Sequence, residues 1–237
     1  LRTELHPAFV LHQRAYRETS LLLEIFSVQY GRLGLIARGA RRTGPRKIAA
    51  PRAFTPLLLA WSGKGELPSL SVAEAAGAPL DLPGSRLLSG LYLNELLLRL
   101  LPRHEPYGEL FEDYGEALHA LSAQESPEPG LRIFESQLMR ALGYGLVLDR
   151  AVDEAAPICA ERTYFYQADR GPWAEKPDRA RTMAVRGATL QALASRQLAD
   201  PDVLREAKRL TRFVLGHHLG AVSIHSRELF QTPIFPD

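Results

Sequence analysis

One cysteine, Cys159, stands in 237 residues. A single thiol can close no internal disulfide and build no cysteine-rich zinc site, which fits a reducing compartment. No apolar run approaches the length of a membrane span, and the opening LRTELHPAFVLHQR has no uninterrupted stretch of the kind a signal peptide needs. A cytoplasmic location is therefore expected, with the initiator methionine missing ahead of Leu1. Motifs of catalysis are also missing. GxSxG, HExxH and GxxxxGK[ST] do not occur, and the adjacent His217 and His218 point about 100° apart on a helix, which rules out joint chelation as i, i+4 histidines achieve it. The carboxylate pairs Glu112-Asp113 and Asp153-Glu154 sit among polar neighbours and read as surface charge. No catalytic residue, metal or cofactor is expected.

What the chain does have is an uneven charge. Apolar residues make up 46% and charged residues 24%, the composition of a globular protein. The net charge of +2 hides a division: residues 1–80 hold eleven Lys or Arg against five acids, and the remainder holds eighteen against twenty-two. The segment RGARRTGPRK (38–47) places five cations in ten positions without an acid. Gly39, Gly44 and Pro45 keep it from becoming a helix. A cationic loop of this kind suits a nucleic-acid backbone, because each neutralised phosphate releases counterions and no fixed base geometry is needed. Arg38, Arg41, Arg42, Arg46, Lys47 and Arg52, with Arg32 on the strand before, are the candidate DNA-binding residues. The bland alternative is a solvated loop, at the cost of self-repulsion among six cations.

Five short runs fill the first eighty residues: 8–14, 19–27, 32–38, 54–62 and 67–75. In the second, Leu21, Leu23 and Ile25 share one face and Ser20, Leu22 and Glu24 the other, a period of two and hence a strand. Five strands in so short a segment hide their edges best by closing into a small barrel. Its aromatic residues belong mainly to the core, with Tyr16 and Tyr30, in turn regions, the two expected to be exposed.

Beyond Pro83 the period becomes helical. SRLLSGLYLNELLLRLL (85–101) is apolar nearly all round, with Ser85 as the expected N-cap, and reads as a central buried helix. Tyr107, Leu110, Phe111, Tyr114, Leu118 and Leu121 mark a second helix, and 131–142 a third, ended by Gly143 and Gly145. Residues 146–186 are irregular apart from a hairpin at 163–174. Helices follow at 188–198 and from Pro201 to about Leu219, the latter capped by Asp200. On the last one Arg205, Lys208, Arg209 and Arg212 lie opposite Val203, Leu204, Ala207, Leu210, Val214 and Leu215. The expected organisation is α+β: a five-stranded barrel over 1–80 and an α-helical domain over 81–237 with a small β-hairpin insertion.

The blocks AFVLHQRAYRETSLLLEIFSVQYGRLGLIARGARR (8–42), FTPLLLAWSGKGEL (54–67), SGLYLNELLLRLL (89–101), LRIFESQLMRALGYG (131–145), AKRLTRFVL (207–215) and SRELF (226–230) together resemble the RecO family of bacterial recombination mediators. The resemblance runs through nearly the whole chain. It implies an N-terminal oligonucleotide-binding (OB-fold) barrel, binding of single- and double-stranded DNA, annealing of complementary strands, association with the nucleoid, and, with RecR, help in loading a recombinase onto DNA covered by single-stranded DNA-binding protein. It also implies that Arg32, Arg38, Arg41 and Arg42 fall on the DNA-contacting strand and loop; Arg46, Lys47 and Arg52 are added from charge alone. Some relatives carry a four-cysteine zinc module after the third helix. Here only Cys159 remains, so a hairpin without metal is expected. Similar proteins lacking the module bind the acidic, apolar tail of single-stranded DNA-binding protein, which needs a cation beside an apolar slot. Arg132 is the first candidate for that cation, the Arg205, Lys208, Arg209 and Arg212 face the second. A general RNA- or single-stranded DNA-binding module unconnected with recombination is the rival reading, and a nuclease whose carboxylates converge only on folding is another.

Overall fold

The computed structural model describes residues 4–41, 50–63, 65–123, 126–220 and 224–226. Contacts divide the chain into two compact units, one formed by the N-terminal half to Ala123 together with the segment from Ile224, the other running from Gln124 to Ser223.

In the first unit β1 (His6–Tyr16), β2 (Ser20–Ser27), β3 (Gly31–Ala37), β4 (Leu57–Ser62) and β5 (Ser69–Ala75) close a barrel in the order β1-β2-β3-β5-β4. Strand alternation decides what fills it. Leu23 pairs with Leu35 and Leu21 with Ala37, and these inward positions meet Val10, Ile25, Leu33, Leu59 and Trp61 in one core. β1 carries a bulge between Val10 and His12, which leaves Leu11 without a cross-strand partner on β2.

The barrel's outer face over β1 and β2 is aromatic at one end. Phe9 and Phe26 meet Phe111 and Tyr114 of α2 (Gly108–Ala123) at ring separations of 5.1 to 6.3 Å. α1 (Ser85–Leu100) is buried through Tyr92, Leu93, Leu96 and Leu97, as its all-round apolar sequence predicts. Its N-cap differs from expectation. Gly84, at φ 59°, is the capping residue and Ser85 the first residue of the helix, with no side-chain cap bond. Asn94 of α1 answers the bulge: its Nδ2 donates to the Leu11 carbonyl at 2.8 Å, and its Oδ1 accepts from the Tyr114 hydroxyl.

The second unit holds α3 (Glu128–Ala141), the sheet β7-β6-β8, α4 (Gly187–Ala194) and α5 (Pro201–Leu219). The expected hairpin is β6 (Thr163–Gln167) with β7 (Gly171–Trp173); β8 (Thr182–Arg186) was not expected and pairs with β6 along its whole length. The sheet is fastened through tyrosines. Tyr164 accepts from the Cys159 amide and Tyr166 from the Val147 amide, both at 2.9 Å. Cys159 itself is exposed, and among the described residues no cluster of His, Cys, Asp and Glu is arranged to hold a metal. Asp200 caps α5 as its sequence predicts, accepting from the amides of Asp202 and Val203. No helix among the described residues is long and apolar enough to cross a membrane.

Candidate nucleic-acid interface

The aromatic outer face of the barrel becomes cationic at its other end. Arg14 lies opposite Leu22, and Leu22 opposite Ile36, so these three form one row across β1, β2 and β3. The next row begins with Tyr16 opposite Ser20. Residues 17–19 then turn the chain, and Arg38 follows the end of β3. Arg14, Arg17, Arg38 and Arg41 are all exposed. Between the turn and β3 lies a cleft of about 470 Å³ walled by Tyr16 to Ser20 on one side and by Ile36 and Arg38 on the other.

Arg41 builds this cleft as well as charging it. Its amide donates to the Thr19 carbonyl at 3.0 Å and its Nη1 to the Arg17 carbonyl at 3.2 Å, so the segment after β3 is tied to the β1–β2 turn. Arg17 occupies the left-handed region at φ 52°, where a side chain is strained unless its surroundings hold it. Its guanidinium lies 5.3 Å from the centre of the Tyr16 ring. Among the described residues, Glu18 is the one acid in the cleft lining.

The expected DNA-binding residues divide. Arg38 and Arg41 are at this open face. Arg42, Arg46 and Lys47 lie outside the described residues. Arg52 is exposed, and no contact among the described residues ties it to the cleft. Arg32 is engaged elsewhere: its Nε donates to the Leu101 carbonyl at 2.9 Å, its Nη1 faces Glu24 at 3.5 Å, and its own carbonyl accepts from the His104 amide. Burial and the neighbouring Arg103 lower its pKa, with Glu24 acting in the opposite sense. Arg32 thus fastens the barrel to the link between α1 and α2. Arg14 and Arg17 entered the sequence reading only as charges. The signal that places Arg14 was present in the alternation of β1, which sets it and Tyr16 on one face, two residues apart.

In the second unit Arg132, the first candidate for the cation that meets the acidic tail, is buried. It is 3% exposed, and its Nη2 pairs at 2.8 Å with Oε1 of Glu135, one turn on along α3. Among the described residues, its Nε and Nη1 are buried without a hydrogen-bond partner. On α5, Arg205 pairs with Asp202 at 2.7 Å and Lys208 with Glu128 at 2.6 Å, whereas Arg209 and Arg212 are exposed and have no ion pair among the described residues.

Family models match the chain in two consecutive parts: "Recombination protein O N terminal" over residues 2–79 and "Recombination protein O C terminal" over 83–228. The chain belongs to the RecO family. Relatives named DNA repair protein RecO agree with this along nearly their full length. The one from Nitrosococcus oceani is 46% identical over 231 residues, covering 98% of this chain and 94% of its own. That from Methylococcus capsulatus is 47% identical with the same coverage, and that from Aliivibrio salmonicida 41% identical over 227 residues, covering 95% and 94%. For this RecO-family chain, the closed barrel of the first eighty residues is the OB-fold that the resemblance implies, and the four exposed arginines lie on its outer surface.

Proposed function

We infer that this protein is a DNA-repair mediator whose barrel holds DNA backbone at the open end of the β1–β2–β3 face. The observation that carries the reading is a cleft lined by Arg17 and Arg38, with Arg41 bonded to its turn and the exposed Arg14 on the adjoining row of β1, and with Glu18 the one acid of its lining among the described residues. Such a surface binds by counterion release and depends little on sequence. Two strands brought to it lose much of their mutual repulsion and can pair. Annealing driven this way needs no nucleotide hydrolysis and no covalent step, so no residue is assigned a catalytic role.

RecR and the acidic tail of single-stranded DNA-binding protein are proposed as partners. For the tail, Arg132 remains the first choice on new grounds: a guanidinium with two buried and unpartnered nitrogens gains most from an arriving carboxylate. The tail would have to displace covering side chains to reach it. Arg209 and Arg212 on α5 are the alternative.

Annealing of two complementary oligonucleotides by the purified protein, without ATP and in chelator, tests the reading. Acceleration over the spontaneous rate, lost when Arg38 and Arg41 are changed to Ala, is the expected result. A requirement for ATP by the protein alone contradicts it. Binding to oligonucleotides with no affinity for a peptide of the acidic tail favours a general nucleic-acid module instead.

A further inference from the structure

We propose that Tyr16 is a stacking platform for one unpaired nucleobase, so that the β1–β2 turn distinguishes single-stranded from double-stranded DNA. The proposal rests on the reading of the barrel face as the DNA surface and adds to it the class of ligand the cleft takes.

The cleft has the make-up of a base slot more than of a second phosphate site. Tyr16 and Ile36 give it a planar and an apolar wall, and about 470 Å³ lies within the roughly 300–1,000 Å³ common for small-molecule pockets. Glu18 in the lining opposes a phosphate inside. Arg38 on the opposite wall and Arg41 beside the turn supply cations for the backbone that carries the base.

The backbone of the slot is also held in advance. A turn left free to move would lose conformational entropy on gripping a ligand. Here the carbonyls of Arg17 and Thr19 are both held by Arg41, and Arg17 is kept in a left-handed conformation with its guanidinium over the tyrosine ring. A strained backbone held by its surroundings beside a lined cleft is the pattern found at binding sites. Arg17 can remain over one part of the ring or swing to a phosphate as a base arrives. In duplex DNA the bases are already stacked and paired, so only an unpaired one can enter.

Stacking and charge leave different signatures. Loss of a stacked base weakens binding without changing the number of phosphates neutralised, so affinity falls while the log-log salt slope stays constant. The test is fluorescence anisotropy over a salt series with three probes: a thymidine oligonucleotide, an abasic oligonucleotide of the same length, and a duplex. The proteins are the wild type, Tyr16→Phe, Tyr16→Leu, and a double variant with Arg38→Ala and Arg41→Ala.

On the thymidine strand, Tyr16→Phe should match the wild type and Tyr16→Leu should bind about 5- to 150-fold more weakly at an unchanged slope. The wild type should bind the abasic strand as weakly as Tyr16→Leu binds thymidine, and duplex affinity should be the same for all three Tyr16 forms. Equal weakening by Tyr16→Leu on all three probes, or none on any, overturns the proposal; so does a wild type indifferent to base removal. Failure of the underlying reading looks different: the double arginine variant then keeps wild-type affinity and slope on every probe.

Discussion

The Tyr114 hydroxyl on α2 donates to Oδ1 of Asn94 on α1 at 2.5 Å, inside the first unit where both side chains are fully buried. Asn94 passes the connection on to the carbonyl of Leu11 at the bulge of β1. One amide therefore joins two helices to the strand that bears Arg14 and Tyr16. Burial pushes the Tyr114 phenol far above its ordinary pKa, so it remains a donor at any pH at which the protein is folded.

Tyr114→Phe leaves a buried acceptor short of its donor and should cost about 1–3 kcal/mol. Asn94→Ala also orphans the Leu11 carbonyl and should cost more. Urea denaturation measures both, and oligonucleotide affinity under native conditions should be unchanged in Tyr114→Phe.

Gly31 and Gly84 separate two reasons for a glycine. Both lie in the left-handed region, at φ 62° and 59°. A Cβ on Gly31 would stand 1.8 Å from the carbonyl oxygen of Glu105, while one on Gly84 meets nothing within 4 Å. Gly84→Ala should cost only the conformational strain, about 1–3 kcal/mol. Gly31→Ala should cost at least about 3 kcal/mol, because a barrel turn and the α1–α2 link must part. Thermal melts of the two variants provide the comparison.

Glu95 couples acidity to the segment at 224–226. Burial alone would raise its pKa, but the donors of Ser226 and His225 and the charge of Arg99 outweigh it, and the net shift is downward from the ordinary 4.5. Its carboxylate accepts from the amides of His225 and Ser226 at 2.9 and 2.7 Å. A depressed folded pKa means stability that is complete above the unfolded value and lost as the pH falls through the folded one. Stability should therefore decline below about pH 4.5, and Glu95→Gln should make that decline shallower while lowering stability at neutral pH. Chemical denaturation at a series of pH values checks the sign.

Chelation tests the second unit. The Cys159 thiol donates a hydrogen bond to Oε2 of Glu161 at 3.0 Å, and the strands around it are held by Tyr164, Tyr166 and the bonds of Asp153 to the Ala174 and Glu175 amides. A strong zinc chelator should leave the melting temperature unchanged. A fall of several degrees would reveal a metal site.

The barrel was legible because its signal is local. Alternation in TSLLLEIFS assigns Leu21, Leu23 and Ile25 to one side, and the structure puts those side chains in the core. Contacts distant in sequence were not legible. Arg32 looked like its neighbours in a basic run until the Leu101 carbonyl, 69 residues away, took its Nε. The burial of Arg132 was not legible either, because it depends on Glu135 one turn away, which offsets its charge within the apolar surroundings of α3. The strand β8 went unseen because TMAVR is short, preceded by Arg181 and ended by Arg186, and completed by pairing with β6. At the cleft, the cations were visible in the sequence, while the hydrogen bonds of Arg41 that shape it came only with the fold.

The most direct test of the central claim is the affinity of a fluorescent single-stranded oligonucleotide across a salt series, for the wild type and for a variant with Arg38, Arg41, Arg42 and Lys47 changed to Ala. If the barrel face and its loop contact about three to four phosphates, the log-log slope should be near −2 to −3 for the wild type and distinctly shallower for the variant. Equal slopes and equal affinities would contradict the account and move the DNA surface away from the barrel.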